Sequence, residues 1–166
     1  MFKLPQSTLL TISGLIWLVG GAFMLPAGLK LLVLPIQTGE LPLDYSFMSW
    51  LSAYTGGVQN TAFLLLALSL FVGYLKGQKV LAKSVHRIAA RLAALPKPIS
   101  ILKMYSLGYF LLIGSMVAMG TLVKWLNVPG DVRGMVDVAI GCALIQGAFL
   151  TFRQAFRVSK GTTSAS

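Results

Sequence analysis

Four apolar runs, each long enough to cross a bilayer, constrain this chain more than any other feature. They extend from about Thr8 to Leu34, Gly56 to Leu75, Tyr105 to Leu126 and Val132 to Phe152. A hydrocarbon core about 30 Å thick takes roughly 20 helical residues. Inside it the backbone must satisfy its own hydrogen bonds, so runs of this length imply helices. The expected fold is an all-α integral membrane domain covering residues 1–166, with four transmembrane helices over 8–34, 56–75, 105–126 and 132–152. The stretch after Lys3 also has the start of a signal peptide, but it is long and carries no clear A-x-A site, so an uncleaved span is expected.

Composition closes the other routes. Hydrophobic residues make up 56% of the chain and charged residues only 11%. A soluble globule needs more charge to cover its surface, and a disordered chain needs less hydrophobicity. The net charge of +10 does not mark a nucleic-acid binder either, because the basic residues lie between apolar runs rather than on a soluble domain.

The placement of those charges predicts orientation. The link 76–104 carries Lys76, Lys79, Lys83, Arg87, Arg91, Lys97 and Lys103, the C-terminal segment, including the polar tail 158–166, carries Arg153, Arg157 and Lys160, and Lys3 precedes the first span. These eleven of the fourteen Lys/Arg residues are expected on the cytoplasmic side. The loop 37–55 has Glu40 and Asp44 but no Lys or Arg, and the short turn from Asn127 to Asp131 has one acid, so both face outward. Both termini are then inside, as in a bacterial inner (plasma) membrane protein. Matches such as Gly14/Gly108, Gly20/Gly114 and Lys30/Lys124 at one shift, and Gly56/Gly134 and Phe71/Phe149 at another, raise the alternative of two tandem two-helix hairpins in parallel repeat.

Two segments outside the spans have helical amphipathic patterns. Between about Gln78 and Leu95, Leu81, Val85, Ile88, Leu92 and Leu95 share one face, while Lys79, Lys83, Arg87 and Arg91 recur every fourth residue on another, beside His86. That pattern predicts a helix in the cytoplasmic membrane interface, with the four basic residues as candidate ligands for anionic lipid headgroups. A plainer account gives these charges only a topological role. In the outer loop, Phe47, Trp50, Leu51 and Tyr54 follow at helical spacing with Asp44 or Ser46 as candidate caps. The aromatics suit a membrane boundary, or a lid over an outward-facing cavity.

Polar groups at membrane depth are the natural places to look for function. The candidates are Asp137, Gln146, Lys30 and Lys124. Both lysines stand near the outer boundary, where they can snorkel. Asp131 is expected to cap the fourth span, and Asp137 to pair with Arg133, Lys30 or Lys124 or else to serve as a cation or proton site. Gln146 lies beside Ala139, Ala143 and Gly147, whose small size permits close helix contact, and Gly73-x-x-x-Gly77 offers a second such patch. Cys142 is the only cysteine, which excludes paired-thiol exchange and leaves it as a small hydrophobe.

Enzyme chemistry has little support. The four acids lie toward the outer side and the single histidine toward the inner side, so no acid–base pair or metal-ligand cluster is expected, and no cofactor motif is present. The expectation is a non-enzymatic accessory, scaffold or membrane-organising protein acting through helix packing and its basic cytoplasmic face. Its partners would be the bilayer, anionic lipids, and a membrane protein or further copies of itself. An oligomeric transporter or channel for a small cation or solute is the alternative, with anionic headgroup binding a third.

Overall fold

The computed structural model describes residues 3–4, 6–81, 99–100, 122, 125–126 and 128–163. Apart from one two-residue strand pairing, the described elements are helical. Helix α1 spans Gln6–Thr38, α2 Ser46–Thr55, α3 Val58–Lys76 and α4 Gly130–Thr163, and a single π-helical turn, Gly77–Leu81, continues α3. Strand β1 (Lys3–Leu4) pairs antiparallel with β2 (Ile99–Ser100). Three helical stretches are long and apolar enough to cross a membrane: Leu10–Thr38, Val58–Lys79 and Gly130–Arg157. By that measure the chain is an integral membrane protein. Large apolar side chains cover the outside of these helices, with Phe23 78% exposed and Phe149 68%.

Three of the expected spans are therefore present as helices. The fourth, 105–126, falls outside the described residues except for Leu122, Trp125 and Leu126, all exposed. The basic amphipathic stretch likewise lies outside them beyond Leu81, and its described beginning is the π-helical turn. Helix α4 continues well past the expected end of its span at Phe152, and its 34 residues rise about 51 Å at 1.5 Å each. The backbone stays helical into the segment expected to be a polar tail.

Helices in lipid gain little from burying apolar surface against one another, so close packing decides where they meet. Among the described helices the closest contact is an antiparallel seam between α1 and α4, built from small residues at seven-residue intervals. Gly14, Gly21 and Gly28 lie on α1, and Gly134, Gly141, Ala148 and Ala155 on α4. At Gly28 a methyl group would stand 2.6 Å from the Val138 nitrogen and 2.7 Å from the Gly134 carbonyl oxygen. At Gly141 it would stand 2.6 Å from the Leu25 nitrogen. A seven-residue repeat keeps one stripe facing its partner along the whole length.

Helix α3 runs parallel to α4 and meets a different side of it. Here Gly73 lies against Ala139 and Cys142, and Gly77 against Ala143 and Gln146. The Gly73-x-x-x-Gly77 patch and the Ala139/Ala143 pair thus form one contact. Helix α4 is central among the described helices, between α1 and α3. Gly56 and Gly134, matched in the repeat alignment, do different work. Gly56 ends α2 in a left-handed conformation, φ 77°, whereas Gly134 sits in the α1–α4 seam.

Candidate functional site

The described acids gather at the end of the bundle where α1 finishes and α4 begins. Helix α2 lies over this end. Its Met48 is fully buried and packs with Leu32, Ala62, Leu65 and Val138 in one apolar cluster, joined by Tyr45. Phe47, Trp50 and Tyr54 form an exposed row on its other side, with ring centroids 6.2 Å apart for the first pair and 5.3 Å for the second.

Two side chains hold α2 down. Asp131 is fully buried in the first turn of α4. Its Oδ2 accepts a hydrogen bond from the Met48 backbone N–H at 2.6 Å, and its Oδ1 accepts one from the Val132 N–H at 2.7 Å. This corrects two sequence expectations. Neither Asp44 nor Ser46 caps α2: Tyr45 occupies the cap position and makes no side-chain cap bond. Asp131 does not simply cap its own helix either, because one carboxylate serves the first turns of α2 and α4 together. The physical reason is that both helix ends present free N–H groups and partial positive charge, and a single anion between them satisfies both.

The second hold is Tyr45, whose hydroxyl donates to the Leu31 carbonyl at 2.8 Å. Pro35 lies four residues after Leu31 inside α1 and has no N–H to give that carbonyl. Tyr45 supplies the missing donor. Gly130 makes room for its ring, since a methyl group there would stand 2.5 Å from Tyr45 Cε2. At the far end of α2, the Thr55 and Thr61 hydroxyls bond to each other and Asn60 Nδ2 donates to the Thr55 carbonyl at 3.1 Å, closing the turn into α3.

Burial pushes the Tyr45 phenol above its usual range, and the charges of Asp44 and Asp131 push it further the same way. In the unfolded chain the phenol titrates near about pH 10. The stability it contributes is therefore complete below that pH and is lost as pH rises through the higher folded value. Tyr45→Phe should cost about 1–2 kcal/mol at neutral pH by orphaning the Leu31 carbonyl. It should also remove a part of the alkaline fall in unfolding midpoint. Detergent-solubilised unfolding curves from pH 8 to 12 check this, and identical alkaline slopes for the two proteins would refute it.

Asp137 is buried on the α1 side of α4, its Oδ2 3.9 Å from Arg133 Nε. Of the three partners considered for it, Arg133 is thus adjacent. Lys30 is exposed and makes no ion pair with a described residue, while Lys124 lies outside the described residues. Three hydroxyls buried along the helices bond to their own backbone one turn back: Thr61 to Gly57, Ser69 to Leu65 and Thr151 to Gly147. Among the described residues no group of three His, Cys, Asp or Glu stands close enough to hold a metal.

The opposite end of the bundle is basic. Lys76, Lys79, Arg153 and Arg157 are all exposed there, and the β1–β2 pairing holds Lys3 beside Ser100. Of the proposed headgroup ligands, Lys79 is at this end, while Lys83, Arg87, Arg91 and the neighbouring His86 lie outside the described residues. Gln146 is far from Asp137, on the α3 side of α4. It lines a cleft of about 290 Å³ with Leu25, Cys142, Ile145, Phe149 and Leu150. The Cys142 thiol points at the Leu70 carbonyl, 3.7 Å away.

No protein-family model, curated protein or solved structure matches the chain.

Proposed function

We propose that the protein is a non-enzymatic accessory or scaffold of a bacterial inner membrane, organised as four transmembrane helices with both termini cytoplasmic. In this reading residues 105–126 supply the fourth span, and the basic stretch around 78–95 lies as an amphipathic helix against the inner leaflet. The observation that carries the reading is how the polar groups are engaged. Asp131 bridges two helix ends, Asp137 stands by Arg133, Tyr45 serves Leu31, and Thr61, Ser69 and Thr151 turn back on their own helices. A transport path needs polar groups free to exchange partners with a solute along the membrane depth. The polar groups named here serve packing, and the described acids and bases stand largely at opposite ends.

The second reading, an oligomeric carrier or channel for a small cation or solute, is favoured by the depth of Asp137, six residues or about 9 Å below Asp131 along α4. Headgroup binding by the basic end has its support in the exposed cluster of Lys76, Lys79, Arg153 and Arg157. Purified protein sealed in vesicles under an imposed proton or sodium gradient separates the first two. The scaffold reading expects leak no greater than in empty vesicles. Flux that Asp137→Asn abolishes would overturn it in favour of transport.

A further inference from the structure

The basic end of the bundle has no counter-charge among the chain's own side chains. Its Lys76, Lys79, Arg153 and Arg157 are exposed. The sequence holds only four acidic side chains, Glu40, Asp44, Asp131 and Asp137, and all four are described residues toward the other end. The residues outside the described ones add further bases, among them Lys83, Arg87 and Arg91, and no acid. Whichever part of the chain lies over this end, the anions that balance it come from another molecule. The repulsion is most confined at Arg153 and Arg157. Because α4 continues to Thr163, the two are held in mid-helix, four residues apart on one side, where like charges repel. Lys76, in the last turn of α3, gains from the dipole of its helix, but the two arginines stand before the last turn of α4 and have no such compensation. They lie about 33 and 39 Å along α4 from Asp131. With Asp131 at one edge of a hydrocarbon core about 30 Å thick, they emerge at the other edge, where phospholipid phosphates lie.

We propose that this end binds anionic phospholipid, with Arg153 and Arg157 sharing one headgroup phosphate and Lys76 and Lys79 adding charge from the end of α3. A phosphate between the two guanidinium groups accepts charge-assisted hydrogen bonds from both and removes their repulsion. A lipid carries its phosphate to this depth by its own place in the bilayer. An acidic protein segment would have to leave water and enter the headgroup layer to reach the same side chains. The assignment deepens the headgroup reading given above and rests on it and on the chain lying in a membrane. It stands whether or not the protein is a scaffold.

The test follows the unfolding midpoint of the full chain in mixed micelles as phosphatidylglycerol is added, since a ligand bound only by the folded protein raises it by mass action. Phosphatidylcholine and inorganic phosphate are the comparison ligands. Phosphatidylglycerol should raise the wild-type midpoint, and high salt should weaken the response. The double variant Arg153→Gln, Arg157→Gln should need about ten-fold more of the lipid for the same rise. Glutamine is as good a helix former as arginine, so helicity and the midpoint without lipid should not fall. Lys30→Gln, at an exposed base toward the other end, should respond like the wild type. A double variant that responds like the wild type, or an equal loss in Lys30→Gln, would overturn the assignment to these arginines while leaving headgroup binding elsewhere on the basic end. No response to phosphatidylglycerol, or the same rise with phosphatidylcholine or with inorganic phosphate alone, would overturn headgroup binding itself. So would a rise with polyglutamate in place of the lipid, which would give this end to an acidic protein segment.

Discussion

Gly28→Ala is expected to separate α1 from α4 and to cost about 3 kcal/mol, at the upper end of the range for overpacked interiors. The added methyl would meet backbone, at 2.6 Å from the Val138 nitrogen and 2.7 Å from the Gly134 oxygen, so no side chain can rotate out of its way. The helices must move apart, and the loss extends along the seam because Gly21 and Gly141 depend on the same approach. Gly20→Ala is the control. A methyl there meets only the end of Leu144, at 3.5 Å, an ordinary contact. That change should be neutral, or slightly stabilising through the better helix propensity of alanine. Reversible unfolding in mixed micelles measures both. Each helix remains a good membrane span, so insertion and helicity should be unchanged while the unfolding midpoint falls for Gly28→Ala alone. Equal effects at the two glycines would show that the seam is not where the structure places it.

This contrast also shows what the sequence could and could not disclose. Three of the spans were legible because lipid demands long uninterrupted apolar helices, a property of composition along a window. Which side of each helix packs was much harder to see. In water an amphipathic stripe marks the buried face, but leucine is as comfortable in lipid as in a protein core, so hydrophobic periodicity is lost. The surviving signal is the periodicity of small residues. Gly73-x-x-x-Gly77 was readable on those terms, and so was the seven-residue series Gly14, Gly21, Gly28 with its counterpart Gly134, Gly141, Ala148, Ala155. The latter is spread over whole spans among 17 glycines and passes unnoticed unless that interval is sought.

The outer cluster was less legible still, because its bonds join distant parts of the chain. Tyr45 reaches back 14 residues to a carbonyl orphaned by Pro35, and Asp131 reaches 83 residues to Met48. The local clues existed. A proline inside a long helix announces an unsatisfied carbonyl one turn earlier, and an acid after Pro129-Gly130 announces a helix start. Neither names its partner. Capping within each helix points to Asp44, Ser46 and Asp131 separately, whereas the fold uses one carboxylate for two helix starts.

That sharing makes Asp131 the residue whose loss should do most at this end. Asp131→Ala leaves the buried Met48 N–H and the part-buried Val132 N–H without their acceptor and removes the negative charge between two helix N-termini. The sum is about 3 kcal/mol from hydrogen bonds to a charged group and lost capping. Asp131→Asn keeps one acceptor oxygen but turns an NH2 toward the other N–H and removes the charge, which should cost about 2 kcal/mol. The damage should be local, since the α1–α4 seam does not run through Asp131. In hydrogen exchange, Asp131→Ala should therefore speed opening at Met48 and its neighbours in α2 by about 100-fold. Amides around Gly141 should keep the exchange rates of the wild-type protein. Tyr45 anchors the same loop, so Asp131→Ala and Tyr45→Phe should couple: once either hold is gone α2 is already loose, and the second loss costs about 1 kcal/mol less than it does alone. Additive effects would mean that the two act on separate elements and that α2 does not move as one body. Unchanged exchange at Met48 would mean that the carboxylate is not its acceptor at all.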